Sequence, residues 1–305
     1  MSALHAGEDE NAKLMRRAAV ASLSVSAFLV VIKALAYFRS DSVSVLAALA
    51  DSALDLFTST LNLIAIRSAL TPADDEHRFG HGKAEPLAGL AQGAFIAGSA
   101  TFLIVQAISR FLDPEPVEHG EGALLVMIVS IIFAIGLVTY QRSVVARTGS
   151  VAIGADKIHY MGDVATNAGV IIALLLVRYW GWQEADPIIA IFVALVLIWS
   201  AWGVFRQSYD QLMDRELPDA ERDRINTIIR SHPEVRNLHD LRTRNAGVNT
   251  FIQCHIELDP EMSLIRAHQI SDEIERDLCA AFPKAEVILH QDAEGVGTPP
   301  LRLAS

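Results

Sequence analysis

Asp51 and Asp55 lie near the middle of an apolar run, residues 43–67, that reads V-S-V-L-A-A-L-A-D-S-A-L-D-L-F-T-S-T-L-N-L-I-A-I-R. As a helix the run is long enough to cross a bilayer, which takes roughly 20 residues. A carboxylate at that depth costs about 3 kcal/mol on insertion scales, so it faces a partner or a cavity rather than lipid. Four residues apart, the two aspartates share one helical face. Their charges repel unless they share a proton or hold a cation between them. A second pair answers the first: in residues 151–179 the run H-Y-M-G-D places His159 and Asp163 on one face, again at membrane depth. Three carboxylates and an imidazole make a four-ligand set for a divalent metal.

Six stretches have the length and composition of membrane spans: 18–38, 43–67, 84–111, 123–140, 151–179 and 188–204. Lys33 falls near the far end of the first, where its stem is expected to snorkel to the interface. The third carries Gly89, Gly93, Ala97 and Thr101 at four-residue spacing, a stripe that lets another helix pack closely. Between spans, 71–83 is a short polar loop broken by Pro72, Gly80 and Gly82. Residues 113–122 read as an acidic loop, 141–149 as a basic loop and 181–187 as a turn.

Basic residues set the orientation. One side collects Lys13, Arg16, Arg17, Arg67, Arg78, Lys83, Arg142 and Arg147, the other only Arg39, Arg110 and Arg178. With an even number of spans, the positive-inside rule puts both termini in the cytoplasm. Residues 1–12 read as an N-terminal cytoplasmic tail. The apolar run that follows is too long for the h-region of a cleavable signal. The membrane domain is expected at 13–210, a linker at 211–218, a cytoplasmic metal-binding domain at 219–293 and a disordered end at 294–305.

The charged last third has its own periodicities. Helices are expected at 220–231 and 263–282, and strands at 235–244, 250–259 and 285–292, with a turn at 245–249. In the second strand Ile252, Cys254, Ile256 and Leu258 alternate with Phe251, Gln253, His255 and Glu257. The pattern is that of a small α+β domain of the ferredoxin-like kind. The fold class is therefore a six-helix membrane protein with an α+β tail.

Composition narrows the function. A net charge of −11 without a basic block argues against nucleic acid as a partner. Cys254 and Cys279 form no C-x-x-C and suggest neither a disulfide framework nor a thiolate site. H-E-x-x-H, P-loop and G-x-S-x-G motifs are missing from the sequence, which weakens an intramembrane enzyme.

Three groups remain as candidate metal sites. Asp51, Asp55, His159 and Asp163 offer nitrogen and carboxylate oxygen, which zinc accepts in a tetrahedron. A donor set without thiolate favours release. The alternative is a buried polar network that only joins helices. Asp74, His77 and His81 can wrap a metal in the polar loop, or be solvated side chains. In the tail, His239, His255, His268, His290 and Asp292 suggest a metal surface, or ordinary surface histidines.

D-S-A-L-D in the second span, H-R-F-G-H-G-K-A-E-P-L-A in the loop and H-Y-M-G-D in the fifth span resemble the cation diffusion facilitator family. H-D-L-R-T-R, F-I-Q-C-H-I-E-L and V-I-L-H-Q-D in the tail are similar to its bacterial zinc/ferrous-iron efflux branch. The resemblance implies a homodimeric, proton-coupled antiporter with six spans and a cytoplasmic domain of metallochaperone-like fold. It implies a transport site at Asp51, Asp55, His159 and Asp163, which also couples protons, and a loop site at Asp74, His77 and His81. It further implies a binuclear tail site at His239, His255, His268, His290 and Asp292, and a salt bridge between Lys83 and Asp214 at the dimer's membrane–tail junction. The implied metal is Zn²⁺, as substrate and as regulatory ligand, with Fe²⁺ and Cd²⁺ open. The expected place is a bacterial inner membrane. A membrane-bound metal sensor that does not transport, and a membrane-embedded metal hydrolase, are the rival readings.

Overall fold

The computed structural model describes residues 2–40, 43–112, 121–182 and 184–296. The expected acidic loop up to residue 120, and the expected disordered end from residue 297, lie outside them. Two compact units divide the chain, one of residues 9–209 and the other chiefly from residue 210 onward.

The first unit is built of α1 (Ser2–Ser40), α2 (Val43–Ala69), α3 (Ala84–Leu112), α4 (Glu121–Thr148), α5 (Val151–Trp180) and α6 (Ala185–Leu212). All six are long and apolar enough to cross a membrane. Phe57, Phe102, Phe192 and Trp199 are among many large apolar side chains on the outer surface. Such a surface fits a lipid surround and would be an aggregation liability in water. The chain is a multi-pass membrane protein.

Helices α1, α4 and α6 outrun the expected spans. The basic loop expected at 141–149 is instead the last two turns of α4, which stops only at Gly149, φ +67°. Nothing before Gly149 breaks the helix, and Gln141 and Val144 are buried along it. Ser150 then caps α5: its Oγ accepts the N–H of Ile153 at 3.2 Å. At the other end of α5, Gly181 adopts the left-handed conformation and its N–H returns to Val177 O at 3.0 Å. Half of the expected small-residue stripe packs as drawn. A Cβ on Gly89 would stand 2.6 Å from Ser208 Oγ of α6, and one on Gly93 3.5 Å from Ala201 O. Thr101 is exposed.

The second unit runs α7 (Asp219–Arg230), β1 (Asn237–Ala246), β2 (Asn249–Leu258), α8 (Leu264–Ala281) and β3 (Ala285–Ala293), within two residues of expectation at every end. The sheet order is β1-β2-β3, with β1 antiparallel and β3 parallel to β2. It is a ferredoxin-like helix-on-sheet layer with three strands instead of four. The alternation of β2 decides the layering. Ile252, Cys254, Ile256 and Leu258 are buried against Ile225 and Ile229 of α7 and Ile270, Ile274 and Leu278 of α8. Burial there pushes the Cys254 thiol up to about 12, so it is an inert core side chain. Phe251 departs from the pattern: it is buried on the opposite face, with the Arg244 guanidinium 4.4 Å from its ring centroid.

An ion-pair chain fastens the start of α8 to the segment after α7. Glu273 lies 3.0 Å from His232 Nε2 and accepts from Arg266 Nη1 at 3.2 Å, and Arg266 also grips Glu234. His232 and then Arg266 hold the Glu273 carboxyl below the usual carboxylate range; Arg266 does the same for Glu234. A carboxyl depressed in the folded state adds stability that is fully present above its unfolded pKa, near 4.3, and is lost as pH falls through the lower folded value. The tail of Glu273→Gln should therefore lose less stability on acidification below about pH 4.3 than the wild-type tail. Limited proteolysis of the tail against pH measures this, and superimposable acid limbs would show that the network contributes nothing.

Candidate metal centres

The antiparallel course of α2 and α5 brings their polar faces together inside the bundle. Asp55 Oδ1 is 3.0 Å from His159 Nε2, and Asp163 Oδ2 is 3.9 Å from the same nitrogen. Ligand atoms of Asp55, His159 and Asp163 all lie within 4.8 Å of one another. In a tetrahedron with zinc–ligand bonds near 2.0–2.1 Å, neighbouring ligands stand roughly 3.3 Å apart. The group fits a metal with small adjustments. Asp51, one turn earlier on α2, is exposed and outside this group.

Lys33 corrects the sequence reading. It is buried, not snorkelling: its Nζ donates to Ser52 Oγ at 2.6 Å. Its charge acts on Asp55, Asp163 and Asp51. The ammonium turns inward because it finds carboxylates and a hydroxyl there, where lipid offers neither.

Beyond the group, towards the end of α2, lies an enclosed polar layer. Ser22 Oγ and Ser59 Oγ are 3.0 Å apart, and Tyr160 OH is 3.4 Å from the first and 3.1 Å from the second. Asp156, a turn before His159, is 0% exposed. Gln92 of α3 and Gln141 of α4 reach its two oxygens, at 3.3 and 2.6 Å. Towards the opposite end Asp51 is exposed and Asp163 is 35% exposed. The group is thus shut on the side where α2 ends.

In the loop after α2, Asp74 Oδ1 accepts the backbone N–H of His77 at 2.6 Å and of Glu76 at 3.0 Å. Those bonds, the His77 one first, hold its carboxyl below the usual range. Asp74 Oδ1 is also 3.2 Å from His77 Nδ1, and Oδ2 is 3.4 Å from His81 Nε2. The three residues form a second compact group.

Strand register builds the third group. His239 pairs with His255, and His255 with His290, so three imidazoles stand in a row across the sheet. They occupy the face that α7 and α8 leave bare, since β2 turns its apolar residues to the helices. Asp292 is where they converge: Oδ2 lies 2.9 Å from His255 Nδ1 and 3.4 Å from His239 Nε2, and Oδ1 lies 3.3 Å from His290 Nε2. A bulge between His239 and Arg242, with Asp240 at φ +49°, interrupts β1 beside the row. His268 stands apart on α8, 72% exposed and 3.7 Å from Asp272. Asp214 Oδ1 is 3.1 Å from Arg244 Nη1 within the tail.

Sequence reasoning missed Glu257, whose Oε1 is 3.2 Å from His239 Nδ1, and also Asp156 with its two glutamines. Asp156 carries the signal that singled out Asp51, a carboxylate in an apolar span, but at a spacing of three from His159 instead of four.

Because Asp292 touches all three imidazoles, Asp292→Ala should remove more tail zinc than His290→Ala. A zinc titration of the full chain in an Asp55→Ala background measures the loss. Equal losses would show that the carboxylate is not the hub of the group.

The family model described as the cation efflux transmembrane domain matches residues 19–213, and the cation efflux protein cytoplasmic domain matches 217–294. The cation-efflux pump FieF of Klebsiella pneumoniae is 42% identical over 284 residues, covering 93% of this chain and 94% of that one. FieF of Salmonella paratyphi A is 44% identical over 280 residues, covering 92% and 93%. Among solved structures, the metal-bound C-terminal domain of the CzcD transporter from Thermotoga maritima is similar over 26% of this chain and 96% of that chain, at 29% identity and a TM-score of 0.25. With both halves matched in order, and relatives alike over nearly the whole length, the chain belongs to the cation efflux, or cation diffusion facilitator, family.

Proposed function

We propose that this protein is a proton-coupled antiporter that exports a divalent metal from the cytoplasm across a bacterial inner membrane, as a homodimer, and is not an enzyme. The observation that carries the reading is the meeting of Asp55, His159 and Asp163 on two facing helices at membrane depth. Asp51, a turn away on α2, completes the set when the helices shift. One nitrogen and carboxylate oxygens suit Zn²⁺ first, and leave Fe²⁺ and Cd²⁺ as further substrates. Metal needs these ligands deprotonated, so loading displaces whatever protons the group holds.

Orientation follows from the basic residues. The end of α2 with Arg67 faces the cytoplasm, so the enclosed layer of Ser22, Ser59, Tyr160 and Asp156 is a barrier on the cytoplasmic side. Transport then alternates between opening that layer and closing the side of Asp51. The loop group, and the tail group with His268 and His290, bind zinc as structural or regulatory ligand, and Lys83 with Asp214 braces the dimer at the membrane–tail junction. Binding to the dimer alone stabilises it by mass action.

A sensor would bind metal without moving it, and a hydrolase would need an open coordination position and a general base. Flux into sealed inverted vesicles separates these from transport. Asp55→Ala should abolish zinc uptake while leaving the protein folded and dimeric; wild-type uptake at matched protein levels would sink the assignment. His159→Asp keeps an oxygen ligand and removes the nitrogen. It should lower the preference for Zn²⁺ over Cd²⁺ and change the pH dependence of initial uptake over roughly pH 5.5 to 8, where imidazole titrates. Retention of both the metal ratio and the pH profile would remove His159 from the coupling step.

A further inference from the structure

Asp156 belongs to none of the three metal groups, yet it is among the most enclosed ionisable side chains of the bundle. The side chains that meet its oxygens are neutral. Gln92 of α3 donates Nε2–H to Oδ1 at 3.3 Å, Gln141 of α4 meets Oδ2 at 2.6 Å, and the Ser22 hydroxyl of α1 is within hydrogen-bonding reach. The titratable groups that bear on it are His159 and Tyr160, both on its own helix. Glu85 of α3 reaches instead the N–H of Ala152, at 3.4 Å, and Lys33 of α1 goes to Ser52 of α2. An ionised carboxylate with no cation in contact is far more costly to enclose than the neutral acid.

A neutral acid is a donor and needs an acceptor. Gln141 supplies one if its amide is turned over, which exchanges oxygen and nitrogen at the same two positions. In either orientation one amide atom stays without a partner, as Oε1 does in the orientation described. The turned orientation is the one that gives an enclosed carboxyl, with amides and no cation against its oxygens, both a neutral state and an acceptor.

We infer that Asp156 is a proton-binding residue, held as a neutral acid between Gln92 and Gln141, and separate from the metal-binding group of Asp55, His159 and Asp163. Oδ2–H donates to Gln141 Oε1, and Oδ1 accepts from Gln92. When the enclosed layer opens, water reaches the acid, the proton passes to it, and the carboxylate that remains is solvated. Once that layer has closed and the side of Asp51 is open, the carboxylate is protonated again from that side, so the proton crosses the membrane against the metal. The place of this proton in transport rests on the proton-coupled reading above; the protonation of Asp156 does not.

Infrared difference spectroscopy on the full chain in liposomes, metal-free and at neutral pH, tests the protonation without transport. The expected result is a protonated-carboxyl C=O band that Asp156→Asn loses and Asp156→Glu keeps. Gln141→Leu, which removes the acceptor, should move the band to higher frequency. Identical spectra for the wild type and Asp156→Asn overturn the inference. If Asp156→Asn does not fold, Gln141→Leu decides: an unmoved band, or no band in the wild type, overturns it. Paired zinc and proton fluxes supply the second arm, with fewer protons moved per zinc expected in Asp156→Asn. A wild type that moves zinc without protons would defeat the coupling reading and leave the infrared result to stand by itself. An unchanged proton-to-zinc ratio in Asp156→Asn would overturn the role of Asp156 in transport.

Discussion

Asp55 and His159, 3.0 Å apart across the bundle, set the terms for most of the polar chemistry in the membrane unit. A carboxylate at membrane depth has to be answered. His159 answers Asp55 directly, Asp163 joins them, and Lys33 brings a compensating positive charge to the same region. Around this core the bundle adds hydroxyls and amides in place of further charges. Ser22, Ser59 and Tyr160 satisfy one another, and Gln92 and Gln141 attend Asp156. The charged group and the neutral layer are neighbours with different work. The first brings together the donors a divalent cation needs, and the second is enclosed.

The tail solves a related problem with a different element. In a helix, residues four apart share a face; in a sheet, residues share a face by register. His239, His255 and His290 are far apart in sequence and side by side in space because three strands align them. Asp292, two residues beyond His290, reaches back to all three. The face is available because both helices pack on the apolar residues of the other one.

Much of this could be read from the chain. Period-two alternation in β2 and the apolar helices of the membrane unit were legible because burial repeats along the sequence. The pairs Asp51/Asp55 and His159/Asp163 were legible because charge in an apolar run is rare. What resisted reading depends on partners distant in sequence. Lys33 looks like a snorkelling lysine until Ser52 of α2 accepts from its ammonium inside the bundle. Gln92 and Gln141 look like ordinary polar residues until both meet Asp156. The end of α4 looks like a loop because it is basic, and charge alone does not end a helix; Gly149 does. Phe251 lies on the polar side of its strand and is buried there, with the Arg244 guanidinium over its ring.

The row of histidines makes the sheet self-checking. A strand displaced by one residue turns every side chain to the other face. Were β3 to zip against β2 one residue out, His290 and Asp292 would point into the helices, and Leu289 and Gln291 would take their places on the bare face. The imidazoles of β1 and β2 would then have no carboxylate at their centre. Only one alignment of the three strands assembles the ligands, so a metal ion held there certifies that the newly made tail has paired its strands correctly.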